Sequence, residues 1–255
     1  MRFTIQRALI SRIMGMLSPF LPKKGESVKG SGDQGGNVRI RVKRDALLAT
    51  VLRPNVSVEV RIDSRPAASE DVLRIAKPGT FVGGDKILVR MPGIGDEREM
   101  LPFEKLPDGD LSMTMAGATG RRDRVDFHPV APAKIPEITC DEEKCLVLPA
   151  KNLARYGRMI GIATSREDQR VMLRARGGEC QMVTSNGTQL AIANVPELGG
   201  SEGRHIMSHD SFLRVVNQLD PEGEVKVMPS EDGKWVMFKQ SIRIGGRKVG
   251  EFTAA

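Results

Sequence analysis

Aromatic residues are scarce in this 255-residue chain: 4% of the total, with one Trp and one Tyr. The core is therefore expected to be aliphatic, with thirteen Met as adaptable filling. Cysteine is rare and odd in number (Cys140, Cys145, Cys180). That excludes a disulfide framework and points to a reducing compartment, the cytoplasm. No apolar run reaches about 18 residues, so no membrane-spanning helix is expected. Catalytic patterns are missing too. There is no Walker loop, no G-x-S-x-G and no H-E-x-x-H. The three histidines, His128, His205 and His209, read as surface or half-buried structural residues. Cys140 and Cys145 are spaced C-x4-C without a second pair, which does not make a zinc site. Gly30-x-Gly32-x-x-Gly35 has dinucleotide-fingerprint spacing, but a polar stretch precedes it and an alternating strand follows, the wrong context. No metal, cofactor or enzymatic activity is expected.

What the chain does have is charge. It is 40% hydrophobic and 28% charged, a globular composition, and Lys plus Arg exceed Asp plus Glu by 39 to 32, for a net charge of +7. The first acidic residue is Glu26, after Arg2, Arg7, Arg12, Lys23 and Lys24. Two readings fit this start: a short strand followed by a surface helix, or a basic amphipathic transit peptide. The strand-then-helix order recurs downstream and favours the first. The helix stripe is Leu9, Ile10, Ile13, Met14, Leu17, Phe20 and Leu21. Lys24–Gly36 reads as an exposed loop.

Strands are expected at Val38–Lys43, Leu47–Leu52 and Val56–Asp63, the last alternating strictly. Ser64–Gly95 is hard to assign, with Lys86–Met91 as strand or short helix. Leu106–Gly109 marks a turn before a strand pair at Leu111–Met115 and Arg124–Val130. Prolines 129, 132 and 136 place a domain boundary near residues 131–138, giving domains 1–135 and 136–255. In the second half, strands are expected at Cys145–Leu148, Val171–Ala175, Cys180–Thr184, Gln189–Asn194, His205–Ser208, Val225–Met228, Lys234–Lys239 and Ile242–Val249. Helices are expected at Lys151–Ala163 (Leu153, Ala154, Tyr156, Met159 and Ile160 inward) and Asp210–Leu219 (Phe212, Leu213, Val216 and Leu219 inward). Strand–helix–three strands thus occurs twice at an offset of about 59 residues, Arg155 matching Arg214. The fold class is α+β, with helices packed on antiparallel sheets.

The polar helix faces are nearly free of carboxylates. Lys151, Arg155 and Arg158 share one face; Arg214 and Gln218 share another; Arg7 and Arg12 lie near Ser11 and Ser18 on the first helix. A face of Lys, Arg, Gln, Asn and Ser suits a phosphate backbone without reading bases. A plain solvated basic face is the other reading.

Several segments together are similar to the bacterial sliding-clamp family, the beta subunit of DNA polymerase III. Met1–Ile5 resembles its first strand, Leu106–Gly109 the end of its first domain, and Cys145–Leu153 the opening of its second. Val183–Ala191 resembles the family's A-T-D-G-x-R-L-A turn, and Ile242–Phe252 the close of a domain. The resemblance implies a DNA-clamp fold and a processivity factor that encircles duplex DNA and tethers a DNA polymerase. It also implies a separate ATP-dependent clamp loader, with Arg7, Arg12, Lys151, Arg155, Arg158 and Arg214 lining the channel. The bacterial family has three domains per subunit and this chain has two, so a six-domain ring implies a homotrimer. The part of the family's partner-peptide pocket that carries over is Ser185, Gly187, Thr188 and Leu190. The turn's Asp, His and Arg positions here hold Asn186, Thr188 and Gln189. Two other functions fit the sequence: a clamp-derived interaction protein that forms no ring, and a metal-dependent nucleic-acid-processing enzyme built on scattered carboxylates.

Overall fold

The computed structural model describes residues 1–21, 38–53, 56–64, 72–84, 96–116, 122–130, 138–163, 170–196, 199–200, 202–244 and 246–255. The loop at 24–36 and the segment Lys86–Met91 lie outside the described residues. The chain divides into two compact units, Met1–Ile135 and Pro136–Ala255. No described helix is long and apolar enough to cross a membrane.

In the first unit, β1 (Arg2–Gln6) leads directly into α1 (Arg7–Leu17), followed by β2 (Val38–Val42), β3 (Ala46–Arg53) and β4 (Val56–Asp63). Then come β5 (Leu73–Lys77), β6 (Gly79–Gly83), β7 (Met100–Lys105), β8 (Leu111–Ala116) and β9 (Arg122–Phe127). The strand orders are β5-β1-β7-β8-β9 and β4-β3-β2-β6, antiparallel throughout. The expected α1 stripe is buried in full, with Met16 added to it. Phe3 and Phe103, cross-strand partners, stack at 4.8 Å between ring centroids.

Strand β7 lies where the sequence reading assigns no element, and it carries Pro102, a residue that ordinarily argues against a central strand. The register explains its place. Lys105 donates its N–H to Met1, so residues of its parity face β1 and Pro102 faces the β8 side. The β7–β8 ladder covers only Phe103–Lys105, so Pro102 removes no ladder bond.

The second unit holds β10 (Leu146–Pro149), α2 (Ala150–Ile160), β11 (Arg170–Arg176), β12 (Glu179–Ser185), β13 (Leu190–Val195) and the short β14 (Gly199–Gly200). Then follow β15 (Gly203–Ser208), α3 (His209–Val216), β16 (Glu224–Pro229), β17 (Val236–Ile244) and β18 (Arg247–Ala254). The sheets run β14-β10-β16-β17-β18 and β13-β12-β11-β15. The strand–helix–three-strand repeat is therefore present, starting at β10 and again at β15. Gly177, Gly178 and Gly187 take the positive φ that the two hairpin turns require. The last hairpin differs from expectation. The strand expected to end at Lys239 continues to Ile244, and the turn falls at Gly246 (φ 78°). Buried Gln240 falls in the gap between the two expected strands. Its amide bonds the Asp220 backbone, accepting from N–H at 2.7 Å and donating to C=O at 2.9 Å.

Helices α2 and α3 meet at Gly157. A Cβ there would lie 2.5 Å from Phe212 Cε1, and Phe212 is fully buried against Phe238. A glycine inside a helix costs about 1 kcal/mol relative to alanine, so close helix approach accounts for its presence. Gly157→Ala is expected to destabilise the chain by about 1–3 kcal/mol through overpacking, despite the better helix propensity. Urea unfolding checks this, and a stabilised variant would contradict the packing argument.

His205 on β15 is buried with neither ring nitrogen hydrogen-bonded. Burial pushes its pKa below the ordinary 6.5, and the Lys144 charge adds to this. The folded state thus holds the ring neutral, while the unfolded chain takes a proton below about pH 6.5. The unfolded state then binds more protons, so stability falls as pH drops through that value and is unaffected above it. The urea midpoint is expected to fall between about pH 7 and pH 5, and His205→Phe to flatten that part of the profile. An unchanged profile in the variant would remove His205 from the effect.

Candidate nucleic-acid interface

The cations on α2 follow from its helical spacing. Lys151, Arg155 and Arg158 are exposed, whereas Leu153, Gly157 and Ile160 are buried. No carboxylate occurs anywhere in α2. Arg155 stands 5.7 Å from the Tyr156 ring centroid, a cation–π contact that limits its rotamers. Arg158 reaches across to α3 and donates to Asn217 Oδ1 at 2.7 Å. On α3, Arg214 is half-buried and pairs with Asp210 one turn back at 2.9 Å. Ser208 caps α3, accepting from Ser211 N–H at 3.5 Å. His209 Nε2 lies 3.0 Å from the Gly157 carbonyl, which can only accept, so Nε2 carries the proton. These cross-links hold α2 and α3 as one surface. It carries Lys151, Arg155, Arg158 and Arg214, with Asp210 as the one carboxylate on the two helices.

Two helix assignments differ from the sequence reading. Arg7 is not on the exposed face of α1: its side chain is 5% exposed and ion-paired with Glu99. The exposed residues of α1 are Ser11 and Gly15, with Ser18 just beyond, and half-buried Arg12 is the one cation beside them. Met159, expected inward, is 55% exposed, because Gly157 takes the inward position against Phe212. Asn217 and Gly157 were not singled out, although a glycine within an otherwise helical pattern is a signal of close approach.

Ser185, Gly187, Thr188 and Leu190 fall together on the β12–β13 hairpin. Asn186 Oδ1 accepts from Thr188 N–H, Thr188 Oγ1 and Gln189 N–H at 3.1, 3.0 and 2.7 Å. Ser185 Oγ accepts from Gly187 N–H at 3.2 Å. The turn's polar groups are thus spent on its own shape, and Leu190 stands 64% exposed beside it. His128, just after β9, bonds Asp110 at 2.8 Å on the surface. Cys140, Cys145 and Cys180 are in no disulfide with one another, and no cluster suited to a metal occurs among the described residues.

Known structures match this arrangement over its whole length. The DNA polymerase sliding clamp of Bacillus subtilis superimposes with a TM-score of 0.76 at 14% identity, over 100% of this chain and 64% of that one. The fold is the DNA-clamp fold. The DNA polymerase III subunit beta of Pseudomonas aeruginosa gives 0.74 at 17% identity, over 100% of this chain and 63% of that one. PCNA from Thermococcus kodakaraensis gives 0.68 at 11% identity, over 99% of this chain and 98% of that one. This clamp-fold chain therefore spans less than two thirds of the bacterial clamps and nearly all of the Thermococcus protein. No family model and no curated protein sequence matches the chain.

Proposed function

We propose that this chain is a sliding clamp, a processivity factor that encircles duplex DNA and tethers a DNA polymerase. The observation that carries the reading is the exposed basic face of α2 and α3 within a clamp fold. Lys151, Arg155 and Arg158 offer charge-assisted contacts to phosphates and nothing shaped to read base edges, as sliding requires. The Arg214–Asp210 pair tempers that attraction, and Arg12 adds a cation on α1.

The ring would be a homotrimer of six clamp-like domains. Strands β9 and β13 each end a sheet. Antiparallel pairing of β13 in one copy with β9 in the next is a heterologous contact, the kind that closes rings. A polymerase or other partner would dock a short segment at the Ser185–Leu190 turn. Loading would fall to a separate ATP-driven machine, because this sequence contains no nucleotide-binding motif. Absolute mass by light scattering tests the assembly. Three times the 27.9 kDa chain mass supports it, whereas a chain that stays monomeric at micromolar concentration counts against a self-assembling ring.

A further inference from the structure

The outer face of the β13-β12-β11-β15 sheet, turned away from α2, carries an apolar row. Register aligns Ile192 with Val183, Val183 with Met172, and Met172 with Ile206, one residue from each strand. Ile192 is 55% and Ile206 44% exposed, and Leu190, opposite Ser185 in the adjoining row, adds apolar surface beside Ile192. Solvated sheet faces are ordinarily polar, so a continuous apolar row across four strands marks an interaction surface.

The flanking rows are basic. On one side lie Arg174, Arg204, Gln181 and Asn194; on the other, Arg170, Ser208 and Ser185, with Leu190 at the β13 end. Neither flanking row contains a carboxylate. Arg174 and Arg204 are direct cross-strand partners and neither has an ion-pair partner among the described residues. Like charges placed opposite each other weaken a strand pair, and that cost is relieved when an anion binds both.

We infer that this face docks an acidic amphipathic helix of a partner protein, lying across the strands. Spacing selects the helix. Neighbouring strands are about 4.8 Å apart, close to the roughly 5.4 Å between successive turns of a helix. Same-face residues of an extended peptide recur at about 6.7 Å and fall out of step by the third strand. The row is about 14 Å long, or close to three helical turns, so apolar residues at i, i+4, i+7 and i+11 would cover it. Carboxylates flanking that stripe would meet Arg174 and Arg204 on one side and Arg170 on the other. The site borders the hairpin turn proposed for the polymerase, with Ser185 and Leu190 common to both, but it is centred on Ile192, Val183, Met172 and Ile206 and requires neither DNA nor a ring.

The test uses the full chain and a fluorescein-labelled helical peptide with Leu at i, i+4, i+7 and i+11 and Glu on both flanks. Anisotropy is expected to saturate at micromolar peptide. Ile192→Glu with Ile206→Glu is expected to weaken binding at least about tenfold, like the loss of a central apolar anchor. Arg174→Ala with Arg204→Ala is expected to weaken binding and flatten its salt dependence, and a Lys-flanked peptide is expected not to bind. All four substituted side chains are exposed, so melting temperatures should hold. The arginine pair keeps the test decisive if the isoleucine pair fails to fold. Absence of saturable binding, equal binding of the Lys-flanked peptide, or full affinity in the arginine variant would overturn the inference. Because no DNA is present, failure here leaves the clamp reading standing, and failure of that reading leaves this one standing.

Discussion

A chain carrying Arg155→Glu and Arg158→Glu together is expected to lose about 100-fold in affinity for duplex DNA at about 0.1 M salt. Each of these exposed guanidiniums can neutralise one phosphate, and reversal replaces the attraction with repulsion. The slope of log affinity against log salt should therefore shrink by about two phosphate equivalents. The fold should tolerate the change. Arg158 gives up one hydrogen bond to Asn217, a loss of about 1 kcal/mol. Arg155 gives up its contact with Tyr156, about 0.5–1 kcal/mol at an exposed site. Circular dichroism separates that modest destabilisation from the binding effect. Arg174→Glu, on the sheet face away from α2, is expected to leave DNA affinity nearly unchanged. Equal losses from both variants would mean that general charge, not the helix face, governs binding.

Glu99→Ala is expected to destabilise the chain by about 2–3 kcal/mol, a large share of the roughly 5–15 kcal/mol that holds a typical protein folded. The carboxylate accepts from Arg7 Nε at 2.9 Å and from the Ala116 N–H at 2.7 Å. The backbone repeats the link: Arg7 N–H donates to the Glu99 carbonyl and Ala8 N–H to that of Glu97, so the start of α1 needs no side-chain cap. Removing the carboxylate takes an ion-pair partner from a guanidinium that is 5% exposed, which is where most of the cost arises. Pairing Glu99→Leu with Arg7→Met should recover much of the loss, because no unpaired charge remains buried.

The same group predicts an acid limb. Burial pushes the Glu99 carboxyl up, but the Ala116 N–H and the Arg7 guanidinium more than offset this and hold it below the ordinary 4.5. Folded pKa below unfolded pKa means the contribution is complete above about pH 4.5 and is lost as pH falls toward the folded value. Urea midpoints against pH, in wild type and Glu99→Gln, measure both effects. An unchanged midpoint in Glu99→Ala would contradict the account of α1.

Much of the α+β clamp fold was legible because period dominates local structure. The strict alternation of Val56–Asp63 marks a strand and the 3.6-residue stripe of α1 a helix, and Asn186-Gly187 and Gly177-Gly178 mark their hairpins. The exposed placement of Lys151, Arg155 and Arg158 follows from the same periodicity. Other features were hidden because their causes lie far along the chain. Arg7 looks like a surface arginine until Glu99, 92 residues away, is folded against it. Pro102 looks like a strand breaker until the β7–β8 ladder is seen to stop short of it. Met159 looks like core until Phe212 claims the space beside Gly157. Gln240 looks like a strand end until the Asp220 backbone supplies its partners.

Topological retention on DNA tests the central claim most directly. The protein is equilibrated with linear plasmid, onto whose free ends a closed ring can thread without a loader. The plasmid is then ligated into a circle, passed through gel filtration at about 0.2 M salt, where non-specific phosphate contacts are weak, and compared with a sample linearised again just before the column. A ring that encircles DNA is expected to co-elute with the circle and to be lost once an end is available. Equal retention on circular and linear DNA, or none on either from a chain shown to be trimeric, would contradict it.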